Sequence, residues 1–253
     1  MDPAAMAPHG RALLAYAEGD SAATEIIRRD DGNEVSIPVS LFFRPPEQFW
    51  PVELAALARC EGRVLDVGAG SGLHTLALQA RGLLVTAIDV SPEAVAVMRQ
   101  RGVREARVGD IYGFSGGRFD TLLMLGHGIG MTETLAGLDR FLDHARRLTT
   151  AGGQLLVTSL DVRRSDAPEN VAYREANRRA GRCVGETRIQ IEFAGEAGPY
   201  CGWLHVDPET LTQHAAAAGW TCEILHSEET GDYLACLRGS STATHENDVP
   251  VLA

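Results

Sequence analysis

Arg63-Val-Leu-Asp-Val-Gly-Ala-Gly-Ser-Gly-Leu-His-Thr75 reads as an apolar strand ending in a carboxylate, three glycines at alternating positions, and the start of a helix. Gly68, Gly70 and Gly72 let the backbone turn sharply and come close to a ligand, because no Cβ stands in the way. Asp66 brings a negative charge to the same place. A second apolar run, Leu83-Leu-Val-Thr-Ala-Ile-Asp-Val90, ends in Asp89, 21 residues beyond Gly68, where an acid at a strand end accepts hydrogen bonds from ribose hydroxyls. Strand, glycine loop, helix, strand and acid in this order point to a site for a nucleoside-bearing cofactor. The spacing is G-x-G-x-G. The dinucleotide fingerprint G-x-G-x-x-G would want glycine at position 73, which is Leu73, and this speaks against a nicotinamide-dependent oxidoreductase.

Working outward, Val108-Gly-Asp-Ile111, Phe119-Asp-Thr-Leu-Leu-Met-Leu125 and Leu148-Thr-Thr-Ala-Gly-Gly-Gln-Leu-Leu-Val157 follow in turn. With Val64 to Gly72 and Ala87 to Val90 they make a series of five motifs across residues 63 to 160. This series resembles the class I S-adenosylmethionine-dependent methyltransferases. The resemblance implies S-adenosylmethionine as cofactor, with Asp66 and the loop Gly68, Ala69, Gly70 and Gly72 near its methionine part. It implies Asp89 and Val90 at the ribose, Asp110 and Ile111 at the adenine, and Leu125 and Gly126 in the same binding site. The fold it implies is an α/β, doubly wound, mostly parallel seven-stranded Rossmann-like sheet with an antiparallel last strand.

Composition bounds the rest. A chain of 253 residues with 45% hydrophobic content suits one α/β domain with additions. The net charge of −11 argues against a nucleic-acid partner, whose phosphates call for a basic surface. All 23 basic residues are arginines, which excludes Schiff-base lysine chemistry and a P-loop lysine. Cys60, Cys183, Cys201, Cys222 and Cys236 are odd in number and contain no C-x-x-C pair, as expected of reduced thiols in a cytoplasmic protein. No run of 18 apolar residues suggests a membrane span, and no His/Cys/Asp cluster has metal spacing.

Residues 1–60 are expected to form an N-terminal helical or lid segment. It has a helical pattern over Ala12 to Ala17, a polar patch from Arg28 to Glu34, and a helix from Pro46 to Ala58. Residues 61–160 form the cofactor-binding core, with helices over Gly72 to Ala80, Pro92 to Arg101 and Thr132 to Leu148. Residues 161–206 read as an inserted cap, a helix from Pro168 to Ala180 followed by a hairpin of Glu186 to Phe193 and Tyr200 to Val206. Residues 207–238 complete the core sheet with a helix to Ala218 and two strands, and 239–253 read as a disordered tail.

Methyl transfer from a sulfonium chiefly requires alignment in a dry pocket, with a base needed only for a protonated acceptor. His127, in Gly126-His-Gly-Ile-Gly130 directly after the fourth core strand, is the candidate base, unless it only orients the cofactor or packs its loop. His74 at the start of the first core helix reads as cofactor-proximal or capping. Phe43 and Arg44 are candidates for the substrate entrance, and Tyr173, Arg178, Tyr200, Trp203 and His205 for an acceptor pocket in the insertion. Neither the Asn/Asp-Pro-Pro-aromatic signature of amino-methylases nor the Asp-Asn pair of metal-dependent catechol enzymes is present. The expected activity is methylation of oxygen or nitrogen on a small-molecule acceptor. The alternatives are a non-catalytic sensor or scaffold of the same fold, and an NAD-dependent oxidoreductase. The insertion reads as either an acceptor lid or a homodimer arm.

Overall fold

The structure is a computed structural model describing residues 1–239; the expected tail beyond Gly239 lies outside the described residues. Its centre is a seven-stranded sheet of β3 (Arg63–Val67), β4 (Leu84–Asp89), β5 (Ala106–Val108), β6 (Phe119–Met124), β7 (Thr149–Leu160), β11 (Trp220–Ser227) and β12 (Asp232–Gly239), in the order β11-β12-β7-β6-β3-β4-β5. β3 pairs in parallel with β4 and β6, and β7 with β6, while β12 runs antiparallel to both β7 and β11. The central strands bury nearly every residue, Val64 and Leu65 as much as Leu122 and Leu123, because helices cover both faces. α5 (Leu135–Leu148) and α7 (Pro208–Ala217) pack on one face through Leu138, Phe141, Leu142 and Leu211. α2 (Pro51–Arg59) and α3 (Leu73–Ala80) pack on the other through Val52, Leu57 and Leu78. α4 (Pro92–Gln100), capped by the Ser91 hydroxyl on the Ala94 amide, packs Val95 and Met98 against Ala87 of β4 and Ala106 of the edge strand β5.

A second, antiparallel sheet is built from both ends of the core. β1 (Thr24–Arg29) and β2 (Glu34–Pro38) form a hairpin, and β1 pairs with β8 (Glu186–Phe193), which in turn pairs with β10 (Cys201–Leu204) and the short β9 (Glu196–Ala197). The expected hairpin within the insertion is therefore present, but joined to N-terminal strands. α1 (Pro3–Ala17) and α6 (Pro168–Arg179) flank this sheet. The N-terminal segment is thus not wholly helical: Thr24, Ile26 and Ile27 are β-branched and favour extended backbone. Arg28 to Glu34, read as a polar patch, carries the hairpin turn, with Gly32 at φ 89°.

Two helix starts also differ from expectation. Pro46 to Gln48 is a separate 3-10 turn, and α2 begins at Pro51, because a proline pushes its predecessor Trp50 out of the helical region. Gly128–Thr132 is likewise 3-10, and α5 starts only after Thr134, whose hydroxyl caps Gly137.

Candidate active site

A cavity of about 400 Å³ opens at the C-terminal ends of β3, β4 and β6, where ligands bind in open α/β sheets. Asp66, Gly68, Ala69, Gly70, Asp89, Val90, Asp110, Ile111, Leu125, Gly126 and His127 line its core side. Opposite stand Glu25, Ile27, Ile37, Ile189, Ile191 and Trp203 from the antiparallel sheet. The ladder registers set Ile27 against Ile191 and Glu25 against Ile37, so one face of that sheet presents branched apolar side chains and a single carboxylate to the cavity.

The glycine loop is held from below. The amides of Gly68 and Ala69 both donate to the Ile88 carbonyl, at 2.9 and 3.1 Å. Gly70 N donates to Asp89 Oδ2 at 2.9 Å, and Ser91 N to Asp89 Oδ1 at 2.9 Å. Each Asp89 oxygen therefore keeps a lone pair for a ligand. Gly70 has φ 55°, and a Cβ built there would meet nothing nearer than His9 Nε2 and Leu13 Cδ1 at 3.9 Å, so the loop backbone lies bare to the cavity. Asp66 is buried and accepts from Thr75 Oγ1 at 2.6 Å. Burial raises its carboxyl above the ordinary range, outweighing Thr75 and the nearby His74. Bare glycine backbone, a ribose-ready carboxylate and an apolar opposite wall suit a nucleoside cofactor.

Gly126 and His127 are both left-handed, at φ 62° and 57°; for His127 this is a conformation that non-glycine residues adopt only when neighbours hold them in it. The neighbours are Thr158, whose hydroxyl accepts from the His127 amide at 3.0 Å, and Asp232, whose Oδ1 lies 2.6 Å from His127 Nε2. The His127 bond, outweighing burial, holds the Asp232 carboxyl below its usual range. An ionised Asp232 accepts a hydrogen bond from Nε2–H, which leaves Nδ1 as the acceptor nitrogen. His205 stands beside it, its ring 5.7 Å from that of His127 at 81°. Burial and the neighbouring His127 push His205 down to about 3, so it is neutral at physiological pH.

A second histidine–carboxylate pair was not foreseen from the sequence. His9 of α1 lies with Nδ1 2.8 Å from Oε2 of the buried Glu25, its ring edge-on to Phe42 at 4.9 Å. Burial alone would lower the imidazole, but the Glu25 carboxylate, with a smaller contribution from Asp89, holds it above its ordinary value.

Several residues singled out from the sequence lie elsewhere. Gly72 does not line the cavity: at φ 78° it caps α3, and a Cβ there would come within 2.7 Å of Val103 Cγ2. Its requirement is helix packing. Phe43 stacks on Tyr16 and beneath Arg101, and it is the adjoining Phe42 that reaches the cavity. Arg44 is folded inward over the Trp50 ring and onto Glu53 Oε1, 2.9 Å away. Tyr173 donates to Asp30 Oδ1 at 2.7 Å and lines a neighbouring chamber. Arg178 is exposed and pairs with Glu175, and Tyr200 is exposed beneath Arg188. Of the insertion candidates, Trp203 and His205 reach the main cavity. The Ile189 and Ile191 positions were visible in the alternation of β8. Glu25, His9 and Asp232 carried no local signal, because only strand pairing and the packing of α1 bring them in.

A parallel sheet with an antiparallel penultimate strand, a bare glycine loop and an acid at the next strand end define a nucleoside-cofactor α/β enzyme fold. Residues 65–157 match the model of the methyltransferase domain family. An S-adenosylmethionine-dependent methyltransferase from Bacteroides fragilis, solved with S-adenosyl-L-homocysteine, superimposes with a TM-score of 0.82 at 32% identity, over 95% of this chain and 98% of the other. The chain belongs to the S-adenosylmethionine-dependent methyltransferases, and its cofactor is S-adenosylmethionine. Among curated proteins, a demethylmenaquinone methyltransferase of Tropheryma whipplei is 34% identical over 100 residues, 37% of this chain and 40% of the relative. A ubiquinone biosynthesis O-methyltransferase of Xanthomonas oryzae pv. oryzae is 32% identical over 130 residues, 47% of this chain and 53% of that protein. The chain thus spans about half or less of the length of these curated relatives. No helix among the described residues is long and apolar enough to cross a membrane.

Proposed function

We propose that this methyltransferase acts on the oxygen or nitrogen of a small-molecule acceptor, held between the glycine loop and the antiparallel sheet, with His127 as the base. The observation that carries this reading is the His127–Asp232 pair, whose imidazole borders the same cavity as Asp66, Gly70 and Asp89. Asp89 and Val90 would hold the ribose, Asp110 and Ile111 the adenine, and Asp66 with Gly68, Ala69 and Gly70 the methionine part, flanked by Leu125 and Gly126. Bound S-adenosylmethionine supplies a methyl group on a sulfonium, which leaves a neutral thioether. His127 Nδ1 takes the proton from the attacking hydroxyl, or from an ammonium whose freed amine then attacks, while Asp232 accepts from Nε2–H, fixes the tautomer and stabilises the imidazolium. Oxygen is favoured, because a hydroxyl needs such a base most. The apolar side chains Ile27, Ile37, Ile189, Ile191 and Trp203 exclude water from the reacting atoms.

A small acceptor is supported by the acidic net charge of −11, which disfavours nucleic acid. In this reading the N-terminal hairpin and the insertion act together as the acceptor cap. The five free thiols fit a reducing, cytoplasmic setting. A crystal structure with S-adenosylhomocysteine tests the arrangement. Its sulfur is expected to face His127 and the Glu25 to Trp203 wall; a sulfur turned away from both would overturn the reading.

A further inference from the structure

Beyond His205 lies a second chamber of about 210 Å³, which shares Ile27, Ile189 and His205 with the main cavity. Its charged residues are Arg29 and Arg174. Arg29 is already neutralised: Nε and Nη2 donate to Asp31 Oδ1 and Oδ2, each at 2.8 Å, and Nη1 to Asn170 Oδ1. Arg174 is different. It is only 9% exposed, it enters no ion pair among the described residues, and both its hydrogen bonds leave from Nη1, to the Val162 carbonyl at 2.7 Å and the Ser165 carbonyl at 2.9 Å. The Nε–H and Nη2–H edge has no protein acceptor and is open to solvent, although the side chain as a whole is largely buried. His205 Nδ1 borders the same space and is buried with no partner.

We propose that this chamber is the subsite for an anionic end of the methyl acceptor, and that the acceptor is an amphiphilic monocarboxylate. The proposal rests on the small-molecule reading above. One positive charge with no counter-ion at the chamber invites one negative charge, and the free Nε–Nη2 edge is the fork that grips a carboxylate through two parallel hydrogen bonds. Val35, Val162 and Val184 around it ask for an apolar stem leading to that group. With the nucleophile at His127 and the stem passing His205, the neutral imidazole at the partition supplies a hydrogen-bonding group without adding charge.

Calorimetric titration of the S-adenosylhomocysteine-loaded protein tests this with 4-hydroxyphenyl-substituted straight-chain carboxylic acids of increasing chain length, each beside its primary amide. At least one acid should bind about ten-fold or more tightly than its amide. Arg174→Gln should erase that preference and Arg174→Lys should keep part of it. Because Arg174 also holds two carbonyls, Val184→Phe gives an independent block: it should weaken the acid and leave S-adenosylhomocysteine affinity within two-fold or about that. No acid exceeding its amide, or a preference that survives Arg174→Gln, overturns the subsite. Methyl transfer to the same compounds is scored separately, so an Arg174-dependent preference without transfer would count against the small-molecule methylation reading and not against the subsite.

Discussion

His127 Nε2 lies 2.6 Å from Asp232 Oδ1, which ties the loop after β6 to the first residue of β12 across 105 positions of sequence. If this pair is the base, His127→Asn lowers kcat by about 10²- to 10⁴-fold, while calorimetric affinity for S-adenosylhomocysteine stays within a few-fold. Asp232→Asn should cost less, since the imidazole remains but loses its orienting carboxylate. Equal kcat in wild type and a folded His127→Asn variant would remove the base from the mechanism.

Asp89 makes two backbone bonds within the protein and keeps capacity for two more. Asp89→Ala should weaken S-adenosylmethionine binding by about 1–3 kcal/mol. Asp89→Asn, which retains an acceptor oxygen, should lose less. Unchanged affinity in a folded alanine variant would refute the ribose assignment.

Gly72 makes the opposite prediction. Its φ of 78° and the proximity of Val103 and Met98 mean that Gly72→Ala strains the α3 to α4 packing, at about 1–3 kcal/mol. Thermal unfolding should shift down while cofactor affinity of the folded protein barely moves. A binding loss without a stability loss would return Gly72 to the ligand site.

Glu53 anchors the wall beneath α3. Buried, it accepts from Arg44 Nη2 at 2.9 Å and the Trp50 amide at 2.7 Å, and lies 2.8 Å from His74 Nε2. Burial pushes its carboxyl up, but His74, the Trp50 amide and Arg44 together hold it below its ordinary 4.5. A depressed carboxyl stabilises the fold above the unfolded value and loses that contribution as pH falls through the folded one. Glu53→Gln should therefore flatten the decline in stability below about pH 4.5, and Glu53→Ala should cost about 3–5 kcal/mol at neutral pH by stranding Arg44. Chemical denaturation at stepped pH values reads both; an acid limb identical to the wild type would show that Glu53 does not carry it.

The glycine-loop side of the cavity was legible in the sequence because its pattern is local. Strand, loop and acid follow one another from Arg63 to Asp89, and Asp66, Gly68, Ala69, Gly70 and Asp89 of that stretch line the cavity. The opposite wall was not, because it is assembled by long-range pairing. Ile27 meets Ile191 across a ladder joining β1 to β8, and no spacing within either segment announces the partner. Arg44 and Arg178 looked available because a side chain's direction is not visible in sequence, whereas Arg174, four positions before Arg178, turns inward. Gly72 fitted the glycine pattern but serves helix packing, a distinction that only the contact with Val103 makes.

The most direct test of the account is methyl transfer from S-adenosylmethionine carrying a deuterated methyl group to phenols, alcohols and amines bearing a carboxylate, followed by mass spectrometry of the small molecules. The account predicts that at least one hydroxyl-bearing acid gains the label, and that His127→Asn abolishes the gain while still binding cofactor. Cofactor binding with no label in any small molecule, or label transfer that His127→Asn leaves intact, would contradict it.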